Sequence, residues 1–360
     1  MFLVSIVSKR RLPACALLLV LVSPVNAIGR AEGRASQSEF ALGTVCTVYL
    51  SPQDPAKTYG AIFSRLREIE NHMSSAMADT DIDRINRNAG MRPVRVHGDV
   101  ITVLERAAHY AELSGGAFDP TVGPLVKLWG IGTETPRLPD PEEIRAALSL
   151  INWRDMVIDR QGSTVFLRRP GMLLDVGAIA KGYAADEAAG ILEGTGVRGA
   201  IIDFGGNIAA YGEKQERQGK REKQGTGGGP WRIGVQDPLD TRGAFIGILE
   251  VRNKSVVTSG VYERYADING TRYHHILSTE NGYPVDNGLL SVTVISDFSI
   301  DADALSTAVF ALGYEKGAAL LGSRPAAEGV FIFADKTIRL TPGAAGVFTL
   351  RDSRYRVARE

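Results

Sequence analysis

Two hydrophobic periods alternate along the chain without the regular order of a βαβ protein. FALGTVCTVYL (40–50) is apolar and β-branched and predicts a strand. Over 55–73, Ile62, Leu66, Ile69 and Met73 recur on one helical face. AMADTDIDRINRNAG (76–90) combines capping residues, Ile82, Ile85 and a Gly90 stop, and predicts a short helix. Further helices are expected from Asp99 to Ser114 and over 140–150, the latter opened by PDPEE. GGAFDPTVGPLVKLWG (115–130) starts as a Gly/Pro-punctuated loop and turns helical near Val122. Strands at Met156–Asp159 and Thr164–Leu167 flank the turn DRQGS.

The second half continues this mixture. LLDVGAIAKGYAADEAAGILEG (173–194) reads as strand, tight turn and helix, and GAIIDFGGNIAAYG (199–212) as a strand meeting a glycine pair. Strands are expected at 231–238 and 243–253, and two more around the DING turn within 255–277. LLSVTVIS (289–296) is a strand followed by the apolar helix IDADALSTAVFALG (300–313), and GVFIFAD and TIRLTP close the sheet. Interspersed hairpins and helices predict an α+β fold: mixed, largely antiparallel sheets with packed helices.

The N-terminus does not belong to that pattern. Lys9, Arg10 and Arg11 precede the apolar run Leu12 to Val22, and Val25-Asn26-Ala27 fits a cleavage site. Residues 1–27 therefore read as a secretory signal peptide, too short to span a bilayer, and the protein is expected to be exported to the periplasm. The Arg10-Arg11 pair leaves the Sec and twin-arginine routes both open. Residues 28–38 are expected to be a flexible lead-in, 39–350 the catalytic domain and 351–360 a tail. Within the domain, 213–230 is charged and Gly-rich and reads as a flexible insertion loop.

Composition narrows the function. The 41 basic and 41 acidic residues cancel, which gives no basic stripe for nucleic acid. Without residues 1–27 only Cys46 remains, which excludes an intramolecular disulfide and a Cys/His zinc site. GTGVRG (194–199) matches G-x-G-x-x-G, but a helix precedes it and a strand follows, the reverse of a dinucleotide site.

The remaining candidates are polar residues on tight turns and helix starts. In LDVGAIAKG, Asp175 ends a strand and Lys181 opens a helix across small residues. Lys181 is either a phosphate counter-charge or a surface lysine. In GAFDPTVGP, Asp119 stands between Phe118 and Pro120, either a presented carboxylate beside an aromatic or an Asp-Pro turn. His274 and His275 fall on opposite faces of a strand. In IDADALSTAVFALG, Asp301 is placed as the N-cap. Asp303 and Thr307 share one face at i and i+4, a hard-oxygen pair suited to Mg²⁺.

Taken in order, GGAFDPTVGPLVKLWG, LDVGAIAKGYAAD, DFGGNIAAYG, WRIGVQDP, TSGVYERY and DALSTAVFALG resemble the ApbE-like flavin transferases. That resemblance runs from about LGT at 42 to FIFAD at 335 and implies an ApbE-like, T-fold-like architecture. It implies Mg²⁺-dependent transfer of the FMN half of FAD to a threonine hydroxyl of an acceptor flavoprotein, with loss of AMP. It further implies a membrane-bound electron-transfer subunit as acceptor. By resemblance, Asp303, Thr307 and a backbone oxygen of Ala178 hold the metal, and His275 and Asp303 are catalytic. Leu42, Ala76, Ala117, Phe118, Asp119, Asp175, Lys181 and Ile276 line the FAD site. Two departures stand out. Ala76 occupies a position where the family often has an aromatic, and HILSTENG replaces the usual Asp, Pro and Thr by Ser278, Thr279 and Asn281. FAD pyrophosphatase activity and non-catalytic flavin binding remain alternatives for such a chain.

Overall fold

The computed structural model describes residues 36–51, 56–214 and 228–358. A nine-stranded sheet forms its centre. Its strands run in the spatial order Ser36–Ala41, Thr44–Ser51, Gly199–Phe204, Asn207–Gly212, Lys254–Gly260, Leu289–Ser296, Glu328–Phe333, Thr337–Leu340 and Arg356–Val357. Every neighbouring pair is antiparallel except the last. The α+β expectation therefore holds.

Both faces of the sheet are covered, and alternation along its strands sorts the two layers. Val257, Val292 and Val294 pack on one face with the helices Ala56–Met73, Gly98–Leu113, Ala180–Leu192 and Ser299–Gly322. Val256, Ile295, Val330 and Ile332 point the other way, onto Trp231, Ile233 and Leu249 of a three-stranded sheet. That sheet joins Trp231–Gln236, Phe245–Val251 and Phe348–Leu350. A third, smaller cluster forms around Trp129, Leu125, Ile144 and Leu277.

Several boundaries differ from the sequence reading. FALGTVCTVYL is not one strand: Leu42 and Gly43, at φ 54° and 69°, turn the chain between two antiparallel strands. A two-residue turn needs left-handed backbone, which glycine adopts freely and leucine rarely. The Leu42 N–H donates to Glu70 Oε1 at 2.8 Å, so the strained residue is fastened to a helix. Residues 36–38, expected to be flexible, pair in that hairpin. The expected tail also belongs to the fold, since Arg356–Val357 extends the sheet and buried Tyr355 donates to Asp237 Oδ1 at 2.5 Å. The 255–277 segment holds three strands, because Lys254–Gly260 joins the central sheet before the Tyr265–Ile268 and Thr271–His274 hairpin. The expected signal peptide at 1–27 and residues 215–227 of the expected insertion loop lie outside the described residues. A Lys214–Gly229 bridge closes that loop's base.

The helices Ala180–Leu192 and Ser299–Gly322 cross at Gly182. A Cβ there would lie 2.3 Å from Ser299 O and 2.7 Å from Ile300 Cα. Both are backbone atoms, so neither can rotate away. Gly182→Ala is therefore expected to destabilise the protein by about 1–3 kcal/mol. Chemical unfolding at matched conditions checks this, and an unchanged midpoint would show that the crossing is loose.

Candidate active site

The helix crossing also fixes the polar residues around it. The first N–H groups of the helix Ser299–Gly322 have no intrahelical carbonyl to satisfy them. Asp186, on the neighbouring helix, accepts two of them: Ser299 N–H at 2.7 Å and Ile300 N–H at 2.9 Å. Burial pushes the Asp186 carboxyl up to about 6, against the pull of those two N–H groups. The cap thus comes from another segment. Asp301, expected to be the cap, instead forms a two-pronged ion pair with Arg106, at 2.6 and 2.9 Å. Its carboxylate is directed outward to the helix Gly98–Leu113, and the cap position is left to Asp186.

Asp303 lies one turn further in and is only 4% exposed. Its Oδ2 accepts the Gly182 N–H at 2.9 Å, and its Oδ1 stands 3.5 Å from Lys181 Nζ. Lys181 Nζ also donates to Gly177 O at 2.9 Å, across the turn that contains Ala178. Asp175 Oδ1 accepts the Gly177 N–H at 2.8 Å and stiffens the same turn. Thr307 is half-buried, and its hydroxyl lies 3.2 Å from Ser259 Oγ, which pairs with Ser306 Oγ at 2.9 Å. Asp175, Lys181, Asp303 and Thr307 are therefore one connected group. Ser259 was missed as a supporting residue, although it lies inside the quoted block TSGVYERY.

A second group surrounds this one. The Asp175 N–H donates to Pro120 O at 2.9 Å, which ties the 116–121 loop to the Lys181 turn. Within that loop the carboxylate is not presented outward. Asp119 is buried, and its Oδ1 accepts from Thr121 N–H and Oγ1 at 2.7 and 2.6 Å. Its Oδ2 accepts from Trp153 N–H at 3.0 Å. Phe118 is buried in the core, and of the three predicted residues Ala117 alone keeps partial exposure. Asp119 is an internal clasp, and its carboxyl is pushed upward by that burial.

Thr279 Oγ1 donates to Gly116 O at 2.7 Å and joins the loop to the segment after His275. That segment holds its shape without the family's proline. Ser278 N–H donates to Tyr283 O and Gly282 N–H to Ser278 O, both at 2.8 Å, and Trp129 Nε1 donates to Gly282 O at 2.8 Å. His275 is half-buried, and burial, with the nearby Arg264 charge, lowers it to about 4. Lys181 adds weakly to that lowering. His275 Nδ1 lies 3.1 Å from Arg264 O, and a carbonyl can only accept, so Nδ1 carries the proton and Nε2 keeps its lone pair. His274 points elsewhere: it is buried, with Nε2 on Val285 O at 2.9 Å and its ring edge-on to Phe310. Ile276 is buried between them and the core. Ala76 lies apart in an exposed turn, its N–H on Ser74 Oγ at 3.2 Å.

A buried carboxylate and an ammonium thus meet at one turn, with a hydroxyl one helical turn along from the carboxylate. The ApbE family model matches residues 42–331. The chain belongs to the ApbE family. A protein of Treponema pallidum (strain Nichols), named FAD:protein FMN transferase, is 38% identical over 354 residues, covering 93% of this chain and 96% of that protein. A protein of the same name from Klebsiella pneumoniae (strain 342) is 37% identical over 89% of this chain and 96% of its own. The crystal structure of an ApbE protein from Thermotoga maritima superposes with a TM-score of 0.78 at 32% identity, covering 89% of this chain and all of that one. The Vibrio cholerae flavin transferase ApbE gives 0.75 at 28% identity, with 87% and 99% coverage.

Because Asp186 alone caps the helix that carries Asp303, Asp186→Ala is expected to cost about 1–2 kcal/mol of stability. Turnover of FAD at saturating substrate should fall with it. Full activity in a destabilised Asp186→Ala chain would show that the cap does not position Asp303.

Proposed function

We propose that this ApbE-family enzyme transfers the FMN moiety of FAD to a threonine hydroxyl of an acceptor flavoprotein and releases AMP. The observation that carries the reading is the Lys181–Asp303 pair at 3.5 Å beside the Gly177 carbonyl. Asp303 Oδ2 is held by Gly182 N–H, while its Oδ1 faces only a cation at that distance. A buried carboxylate oxygen with a hydroxyl one turn along the helix is a hard-oxygen donor set, and it fits Mg²⁺. Asp303, Thr307 and the Ala178 backbone oxygen would hold the ion. Bound there, it would supply neutralisation of pyrophosphate charge.

The chain's own residues account for the remaining requirements. Lys181 supports negative charge on the phosphate oxygens. The threonine oxygen forms a bond to the phosphorus of the FMN half, the bond from that phosphorus to the AMP oxygen breaks, and AMP leaves with its electron pair. The threonine proton passes to His275 Nε2, which is neutral and unprotonated at ordinary pH. Ala117, Leu42 and the 276–283 segment are proposed to border the flavin, whereas Ala76 lies apart from them.

The acceptor is proposed to be a membrane-bound electron-transfer subunit, and the enzyme to act after export to the periplasm. The signal-peptide pattern of residues 1–27 supports export. Among the described residues no helix is long and apolar enough to cross a membrane.

Mass spectrometry of the chain with FAD, Mg²⁺ and a candidate acceptor tests the reading. An acceptor gaining one FMN mass on threonine is the expected result. Free FMN plus AMP alone would make the enzyme a pyrophosphatase, and intact FAD would make it a binding protein. The pH profile carries a further sign. His275 accepts a proton only when neutral, so kcat/KM should fall as pH drops through about 4 rather than through the ordinary histidine value of 6.5.

A further inference from the structure

His72, His97 and Asp99 form a second donor cluster, separate from the Asp303 group. His72 lies in the last turn of the helix Ala56–Met73, His97 directly precedes the helix Gly98–Leu113, and Asp99 is in that helix's first turn. One ligand atom from each lies within 4.8 Å of the others. The geometry points to a transition-metal site here, with Zn²⁺ as its occupant.

The decisive feature is the Asp99 carboxylate, whose side chain is 9% exposed. Its Oδ1 is fully engaged, accepting from Arg65 Nη2 at 2.7 Å and Tyr183 Oη at 2.8 Å. Its Oδ2 is buried with no hydrogen-bond partner. That oxygen stands 3.3 Å from His97 Nδ1. The same nitrogen accepts the Asp99 N–H at 3.3 Å, so it presents a lone pair rather than a proton. With no proton on that nitrogen, the buried Oδ2 lacks a hydrogen-bond donor, and a cation beside it would supply the missing partner. Arg65 and Tyr183 act as outer partners that aim the free oxygen, as such partners do around metal ligands.

His72 completes the set from the other helix. Its ring stacks on that of His97 at 4.3 Å and 6°. Asp81 Oδ2 sits 3.6 Å from His72 Nδ1 and accepts the backbone N–H of His97 at 2.7 Å, which ties the two segments together. Zinc bonds are about 2.0–2.2 Å, so the two stacked rings would have to turn for these donors to converge on one ion. Two imidazoles and one carboxylate suit zinc, whereas Mg²⁺ takes oxygen ligands. The half-exposed His97 leaves the fourth position open to water.

Such an ion fastens two helices at their ends. It also reaches the active site indirectly. Tyr183 and Glu187, both held by Arg65, lie on the helix that begins beside Lys181. Zinc at His72, His97 and Asp99 therefore braces that helix through Arg65 and Tyr183.

The test uses the purified full chain, stripped with a chelator and titrated with Zn²⁺ in excess Mg²⁺. Calorimetry and elemental analysis should give one zinc per chain and a zinc-dependent rise in Tm. Asp303→Asn should keep that site. His72→Ala and His97→Asn should each weaken zinc binding by at least about 100-fold. His97→Asn retains an N-cap acceptor, so its zinc-free Tm should stay near that of the parent. No zinc bound by the parent would overturn the inference, and so would equal binding by the histidine variants. Loss of zinc on Asp303→Asn would place the ion in the other site and overturn it as well.

Discussion

The Gly182 N–H bond to Asp303 Oδ2, at 2.9 Å across a helix crossing, is the contact on which the site depends. It forms only because Gly182 has no side chain and the two backbones can close to that distance. The same closeness lets Asp186 reach the first N–H groups of the Asp303 helix. A buried carboxylate is costly unless its oxygens have partners. Here one oxygen is held by the backbone, and the other is left to a cation. Structural and chemical demands are thereby split between the two oxygens of one side chain.

The surrounding charges follow a similar division. Asp301, two residues away, pairs with Arg106 on the outer side and leaves the site free of a second carboxylate. Asp175 spends its oxygen on the Gly177 turn, and Asp119 closes its own loop. Two backbone–loop contacts, Asp175 to Pro120 and Thr279 to Gly116, then draw the loops around the helix pair into one frame. Burial lowers the affinity of His275 for a proton, with Arg264 and then Lys181 adding to the effect. Protonation of His275 would add a like charge to theirs in a poorly solvated space.

Much of this was legible in the chain, for identifiable reasons. The strands Met156–Asp159 and Thr164–Leu167 appear with the expected bounds, because β-branched runs flank a polar turn. The i, i+4 spacing of Asp303 and Thr307 fixed their shared face before any tertiary contact was known. What escaped depends on partners far apart in sequence. Asp186 looks like an ordinary helical acid until the second helix docks on it, and Asp301 looks like a cap until Arg106 approaches. The Leu42–Gly43 turn was hidden because leucine is rare at positive φ and the flanking run is apolar and β-branched. The break at Gly313, φ 76°, within the run Ser299–Gly322 likewise has no signal beyond one glycine. The rigidity of the 278–283 segment comes from hydrogen bonds rather than proline, which composition does not reveal.

The central claim is that Asp303 joins the helices through one oxygen and serves the phosphate chemistry through the other. Asp303→Asn separates these tasks, since the amide oxygen still accepts the Gly182 N–H while the negative charge is lost. The decisive measurement is Mg²⁺-dependent transfer of FMN from FAD to an acceptor by Asp303→Asn, with thermal unfolding run on the same sample. The account predicts a Tm close to that of the parent and a rate lower by about 100-fold or more. A folded Asp303→Asn chain that turns over FAD at the parent rate would contradict it.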